Sequence, residues 1–220
     1  MKIFGCKITI GDLTIIIGPM FSGKSAELKR LYDRSTIAGR KTIVLNAKVD
    51  TRAGEGGSRI SIHDGRMITS LGIASIEEIL TNPAYQGFTD YFIDEGQFIS
   101  DMSLVRRLLE KGLNITIATL DADYNQRRFL IIDELIPHAL SVIKLTSICG
   151  DCGSEKAIYS VLRHAPKSAK SHEIIIGGAD RYRALCRRCL LRLQKLSETP
   201  EPSEKKDPTP IVSGQADLRW

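Results

Sequence analysis

The sequence predicts an α/β protein: a mainly parallel β-sheet with helices on both faces, carrying a small metal-binding module toward the C-terminal end. Three observations predict it. Short apolar, β-rich runs alternate with stretches of helical period. The first of these runs passes through a glycine-rich turn straight into a helix. Four of the five cysteines form two C-x-x-C pairs, Cys149/Cys152 and Cys186/Cys189, separated by 33 residues.

Leu13 to Ile17 is a continuous apolar run, the pattern of a strand buried on both faces. A helix follows from about Gly23 to Ala38, with Leu28, Leu31, Ser35 and Ala38 at helical spacing and Gly39 as a left-handed stop. Thr42 to Leu45 is a second strand. The glycine-rich stretch 53–59 reads as a loop. Tyr91 to Ile93 begins a third strand, 101–111 is a helix ending at Gly112, Asn114 to Thr119 is a fourth strand and Val142 to Thr146 a fifth. Near Ile148 the alternation stops, and 149–190 shows little helical period. After Leu196 the chain holds four of its eight prolines among Ser, Glu, Lys and Asp, too little apolar surface to order itself. The expected units are an N-terminal extension (1–12), a nucleotide-binding domain (13–148), a cysteine-bearing lid (149–196) and a tail (197–220).

At 220 residues, 42% hydrophobic and 26% charged, the chain can build one full core and a small module, which excludes a wholly disordered chain. No apolar run approaches the ~18 residues of a membrane helix. Met1 to Ile10 lacks the pattern of a secretory signal, so the expectation is a cytoplasmic protein without membrane partners. The net charge of +5 and pI of 9.0 suit anionic ligands. Arg127-Arg128 and Arg187-Arg188 are too scattered to form a nucleic-acid stripe.

Gly18-Pro19-Met20-Phe21-Ser22-Gly23-Lys24-Ser25 fits G-x-x-x-x-G-K-[ST], placed between a strand and a helix. In that context it is a phosphate-binding loop. Backbone N–H groups cradle the phosphates of ATP, Lys24 reaches the β- and γ-phosphates, and the Ser25 hydroxyl binds Mg²⁺. Asp94 ends a buried strand, at the sheet edge where α/β folds place ligand groups. Glu95 follows at once, and strand alternation would point the two carboxylates to opposite sides, one serving the metal and one a proton. Four thiolates suit a closed, structural tetrahedral Zn²⁺ site. Cys6 reads as a free thiol, and His63 as a turn histidine.

Three stretches, Gly18 to Ser25, Asp94-Glu95-Gly96-Gln97-Phe98 and Ile176-Gly177-Gly178-Ala179-Asp180-Arg181-Tyr182, together with the two cysteine pairs, resemble type II thymidine kinases over about residues 10–190. The resemblance implies a RecA-like P-loop fold and transfer of the γ-phosphate of ATP to the 5′-hydroxyl of thymidine, and of deoxyuridine, in nucleotide salvage. It implies Glu95 as catalytic base and Asp94 as the second metal carboxylate. Asp50-Thr51-Arg52 is similar to an Asp-x-Arg in which the Asp lies near the metal and the Arg near the transferring phosphate. Gln97 falls among the nucleotide contacts. Leu120, Tyr124 and Phe129 resemble the wall of the thymine pocket, with Met20 and Phe98 at other pocket positions. Tyr124 stands where the family usually has Phe. Tyr182 and the backbone of Ile174, Ile175, Ile176, Gly177 and Gly178 match the loop that closes over the base. The resemblance also implies a homotetramer and feedback inhibition by dTTP. A nucleic-acid-dependent ATPase and a non-catalytic homologue are the competing readings. Intact Lys24, Ser25, Asp94 and Glu95 weigh against the second.

Overall fold

A computed structural model describes residues 9–48, 59–61, 67–164 and 177–198. Asp50, Arg52, His63, Cys6, the glycine-rich stretch 53–58, Ile174, Ile175, Ile176 and the tail from 199 lie outside the described residues.

In chain order the elements are β1 (Leu13–Ile17), α1 (Lys24–Ile37), β2 (Thr42–Ala47), β3 (Arg59–Ser61), β4 (Met67–Thr69), β5 (Leu71–Ile73), α2 (Glu77–Thr81), β6 (Asp90–Asp94), α3 (Val105–Glu110), β7 (Asn114–Thr119), α4 (Leu130–Leu135), β8 (Ser141–Lys144), β9 (Ala157–Leu162), β10 (Tyr182–Cys186) and α5 (Arg187–Glu198). Six strands form one sheet in the order β5-β2-β6-β7-β1-β8, and every pairing in it is parallel. β3 and β4 pair as a separate antiparallel hairpin.

The two-residue period of the strands divides the core. Leu13, Ile15, Ile43, Leu45, Tyr91, Ile93, Ile115 and Ile117 point to one face and pack with residues of α2, α3 and α4. Ile16, Val44, Phe92 and Ala118 point to the other, against Leu28, Leu31 and Tyr32 of α1. Tyr32 meets the Phe92 ring edge-on at 5.5 Å. Both faces are thus dry, which is why these strands read as unbroken apolar runs. Asp90, buried in β6, is held on the α1 face by the Ser35 hydroxyl at 2.9 Å and by Arg40 at 3.0 Å. Helix α1 ends as expected, with Gly39 at φ 74.

Gly96 packs against the sheet just beyond β6. A Cβ there would lie 2.6 Å from Ile117 Cγ2 and 3.0 Å from Met102 Cε. Gly96→Ala is expected to lower unfolding free energy by about 1–2 kcal/mol through overpacking, less the entropy that alanine saves. Chemical denaturation would show a lower midpoint at unchanged slope.

The cysteine-bearing segment is a module with its own small core. β9 and β10 pair antiparallel, and Ala157, Val161, Ala184, Leu185 and Leu190 cluster with Cys149, Cys186 and Cys189. One expectation needs correction here: residues 187–198 form a helix, α5, which carries Cys189.

Candidate active site

The C-terminal ends of the parallel strands converge on one edge of the sheet. The Gly18–Ser25 loop follows β1, Asp94 ends β6 and Glu95 follows it, Leu120 to Phe129 follow β7 and Leu145 to Ser147 follow β8. Strand β7 separates β1 from β6, yet α1 carries Ser25 back to the end of β6. There the Ser25 hydroxyl donates to Asp94 Oδ2 at 2.8 Å.

The loop's shape follows from its residues. Gly18 has no room for a side chain, since a Cβ would lie 2.7 Å from the Leu145 carbonyl oxygen. Gly23 adopts φ 83 and begins α1 with no side-chain cap, leaving the first-turn N–H groups to face a ligand. Phe21 is held at φ 64, a left-handed conformation that costs a residue with a Cβ about 1–3 kcal/mol. The Lys24 ammonium lies buried over the loop, 2.7 Å from the Pro19 carbonyl.

Asp94 is buried, and its burial, with the Glu95 charge beside it, pushes the carboxyl up to about 7. A cation arriving there meets a carboxyl still partly protonated near neutrality and must displace that proton. Glu95 lies beyond the strand end at φ 55, ψ 42. The two carboxylates therefore diverge through a left-handed turn and not through strand alternation as the sequence led one to expect. The amide of Gln97 fixes Glu95: Nε2 donates to Glu95 Oε2 at 2.5 Å. The Gln97 Oε1 atom accepts from the Thr119 hydroxyl at 3.0 Å and from the Leu120 N–H at 3.1 Å. The Gln97 amide thus braces Glu95 against the end of β7.

Phe98 and Phe129 are half-buried against the main core, and Leu120 and Tyr124 are half-buried beyond β7. Residues 122–128 form a tight turn around Asp123, whose carboxylate accepts from the Asn125 and Arg127 N–H groups at 2.8 and 2.9 Å. Tyr182 is buried, and its phenol is pushed up by that burial and by Tyr124 and Asp123 nearby. Gly178 begins a turn whose carbonyl accepts from the Arg181 and Tyr182 N–H groups.

Two links were invisible in the sequence because each joins residues more than a hundred positions apart. The Met20 N–H donates to Ser160 Oγ at 2.9 Å, and the Ser147 hydroxyl donates to the Phe21 carbonyl at 3.0 Å. Both serines are buried. They tie the phosphate loop to β9 and to the approach to Cys149.

The four sulfurs of Cys149, Cys152, Cys186 and Cys189 all lie within 4.8 Å of one another. Cys152 and Cys186 are 3.7 Å apart, close to the edge of about 3.8 Å that a tetrahedron with ~2.3 Å zinc–sulfur bonds requires. Burial pushes the Cys149 thiol up, but N–H groups of Cys186, Asp151 and Cys152 outweigh it and bring it down to about 6. Burial and the neighbouring sulfurs push Cys189 up to about 12. Four thiolates so close together would repel one another unless a cation lay among them. The donor set fits structural zinc. Likewise the hard oxygens of Ser25 and Asp94 fit magnesium.

A phosphate loop, a buried carboxylate on its serine and a braced second carboxylate at the edge of a parallel sheet define a P-loop phosphotransferase. Residues 11–190 match the thymidine kinase family, and the chain belongs to it. It is 36% identical over 181 residues to the thymidine kinase of Myxoma virus (strain Uriarra), covering 81% of this chain and 96% of the relative. Over 211 residues it is 33% identical to the cytosolic thymidine kinase of Bos taurus, 94% of this chain and 84% of the relative. The cytosolic thymidine kinase of Homo sapiens is 33% identical over 204 residues, 92% of this chain and 82% of the relative. Among the described residues, no helix is long and apolar enough to cross a membrane.

Proposed function

We propose that this protein transfers the γ-phosphoryl group of ATP to the 5′-hydroxyl of thymidine, giving ADP and thymidine monophosphate for nucleotide salvage in the cytoplasm. The observation that carries the reading is Glu95. A carboxylate turned out of the sheet edge and braced by Gln97 stands next to the Asp94–Ser25 pair. That arrangement supports proton acceptance beside a phosphate site.

The transition state is loose, so the residues mainly position groups and neutralise charge. Gly18 to Gly23 present backbone N–H groups, and Lys24 swings from the Pro19 carbonyl to the β- and γ-phosphates. Ser25 and Asp94 would hold magnesium, which would neutralise phosphate charge, and Asp50 and Arg52 would add to the same site. Glu95 orients the 5′-hydroxyl and takes its proton late, as the oxygen bonds to phosphorus. Gln97, among the nucleotide contacts, also keeps that carboxylate in place. Met20, Phe98, Leu120, Tyr124 and Phe129 wall the thymine pocket. The segment Ile174 to Gly178, with Tyr182, closes over the base, its backbone supplying hydrogen bonds to the base edge. Deoxyuridine, lacking only the methyl group, is a secondary substrate, since a methyl-sized contact is worth only ~1–3 kcal/mol. Cys149, Cys152, Cys186 and Cys189 would hold zinc, which would anchor the lid. A homotetramer and inhibition by dTTP complete the reading.

A panel of nucleosides with ATP and Mg²⁺, read by ADP release, tests the function. Thymidine is expected to give the highest kcat/KM, deoxyuridine less and purine nucleosides background. ADP release stimulated by DNA and indifferent to nucleosides would favour a nucleic-acid ATPase.

The purified protein is expected to hold about one zinc per chain, by the four-thiolate count. Cys149→Ser with Cys152→Ser should release it and collapse thymidine affinity. The sequence alone suggests that ATP binding would be spared. The Ser147 and Ser160 bonds to the phosphate loop lead to a different expectation, a ~3–10-fold loss of ATP affinity as well. Metal analysis with paired titrations of thymidine and ATP distinguishes the two.

A further inference from the structure

Asn46 is the penultimate residue of β2, and in the parallel register it stands opposite Asp94 of β6. Residues opposite one another in a parallel pair send their side chains to the same face of the sheet. Val44 and Phe92, two positions earlier on these strands, both pack on the α1 face. Asn46 and Asp94 therefore face the same way, toward the helix that carries Ser25. Asn46 is only 5% exposed, and its amide oxygen has no hydrogen-bond partner among the described residues.

An unpaired amide oxygen in so dry a position destabilises a fold, and an aliphatic residue would satisfy the core better. Its neighbours Val44, Leu45 and Ala47 are all apolar and buried. Among the described residues the acceptor is thus left open beside the carboxylate that Ser25 contacts. The chemistry it awaits is a hydrogen-bond donor that arrives with a ligand. Magnesium bound by one or two protein oxygens and by phosphates keeps several waters, whose protons point outward. An amide oxygen accepts from such a water without adding charge to the site.

We propose that Asn46 is a positioning residue for the nucleotide's divalent cation, its amide oxygen accepting a hydrogen bond from a water of the hydrated ion held by Ser25 and Asp94. This rests on the assignment of Ser25 and Asp94 as the cation's ligands. Such an outer partner orients the hydrated ion, and through it the phosphates, without contacting either.

Calorimetric titration of the full chain with ADP, in EDTA and across a Mg²⁺ series, tests it with no turnover involved. In EDTA, Asn46→Leu should bind ADP within ~2-fold of the parent. Across the series its half-saturating Mg²⁺ should rise ~3–10-fold, the worth of one hydrogen bond. Its Tm should equal or exceed the parent's, because an unpaired buried polar group has gone. A merely structural role would instead lower Tm and leave the Mg²⁺ response alone. Asn46→Asp keeps an acceptor oxygen and should restore the Mg²⁺ midpoint to within ~3-fold. Should the leucine variant not fold, Asn46→Ala decides by the same midpoint. An unchanged midpoint in the folded leucine or alanine variant overturns the role of Asn46 alone. A parent protein whose ADP affinity ignores Mg²⁺ overturns the Ser25–Asp94 assignment, and the proposal with it.

Discussion

Glu95→Gln is expected to lower kcat by ~10²–10⁴-fold while leaving ATP and thymidine affinities within a few-fold. Glutamine keeps the shape of the side chain and removes the proton acceptor. The backbone there already adopts φ 55, and the substitution leaves that turn unchanged. The bond from Gln97 Nε2, now 2.5 Å from a carboxylate oxygen, would persist to the new amide oxygen, so the side chain should hold its place. Steady-state kinetics with direct binding measurements check this. A variant with near-normal kcat would remove Glu95 from the role of base. Gln97→Leu offers a graded comparison: it frees Glu95 without neutralising it, so kcat should fall by less.

Lys24→Ala is expected to lower kcat/KM for ATP by ~10²–10⁴-fold, the loss of two charge-assisted hydrogen bonds to phosphate. Both KM for ATP and kcat should worsen, since the lysine contacts the phosphates in the ground state and in the transition state. Its ammonium also bonds the Pro19 carbonyl, so the variant removes a brace from the loop. Thymidine affinity separates the two effects. It should stay within ~3-fold if the loop keeps its shape, and fall in parallel with ATP use if the loop collapses around Met20. Full activity with unchanged ATP affinity would contradict the phosphate-loop assignment.

The strands of the main sheet were legible because burial on both faces leaves nothing to alternate. Leu13–Ile17 and Asn114–Thr119 begin and end where the sequence reading places them. β5 and α2 span only Leu71–Ile73 and Glu77–Thr81, too few residues for a period to show. Helix α5 was missed for another reason. Cys189, Leu190 and Leu193 recur at helical spacing and pack on the module's core, but the residue type of Cys189 points to a ligand and hides its place on the buried stripe of a helix. A residue can be both.

The candidate site divides in the same way. Lys24, Ser25 and Asp94 sit in motifs whose chemistry is local, and the structure brings Ser25 to Asp94 as their types require. The bracing of Glu95 was hidden because it depends on a left-handed backbone at a residue with a Cβ and on Thr119, which reads as the end of a strand. Ser147 and Ser160 carry no motif at all. Their role comes from the way β9 and the end of β8 come to lie beside the phosphate loop, which the local sequence does not encode.

The central claim is that a nucleoside 5′-hydroxyl receives the terminal phosphoryl group of ATP at this site. Incubating the purified full chain with γ-labelled ATP, Mg²⁺ and thymidine, and separating the products, tests it most directly. The account predicts label in thymidine monophosphate in one-to-one proportion with ADP, and none transferred to 5′-deoxythymidine, which lacks the acceptor oxygen. Label released as inorganic phosphate whichever nucleoside is present would contradict it.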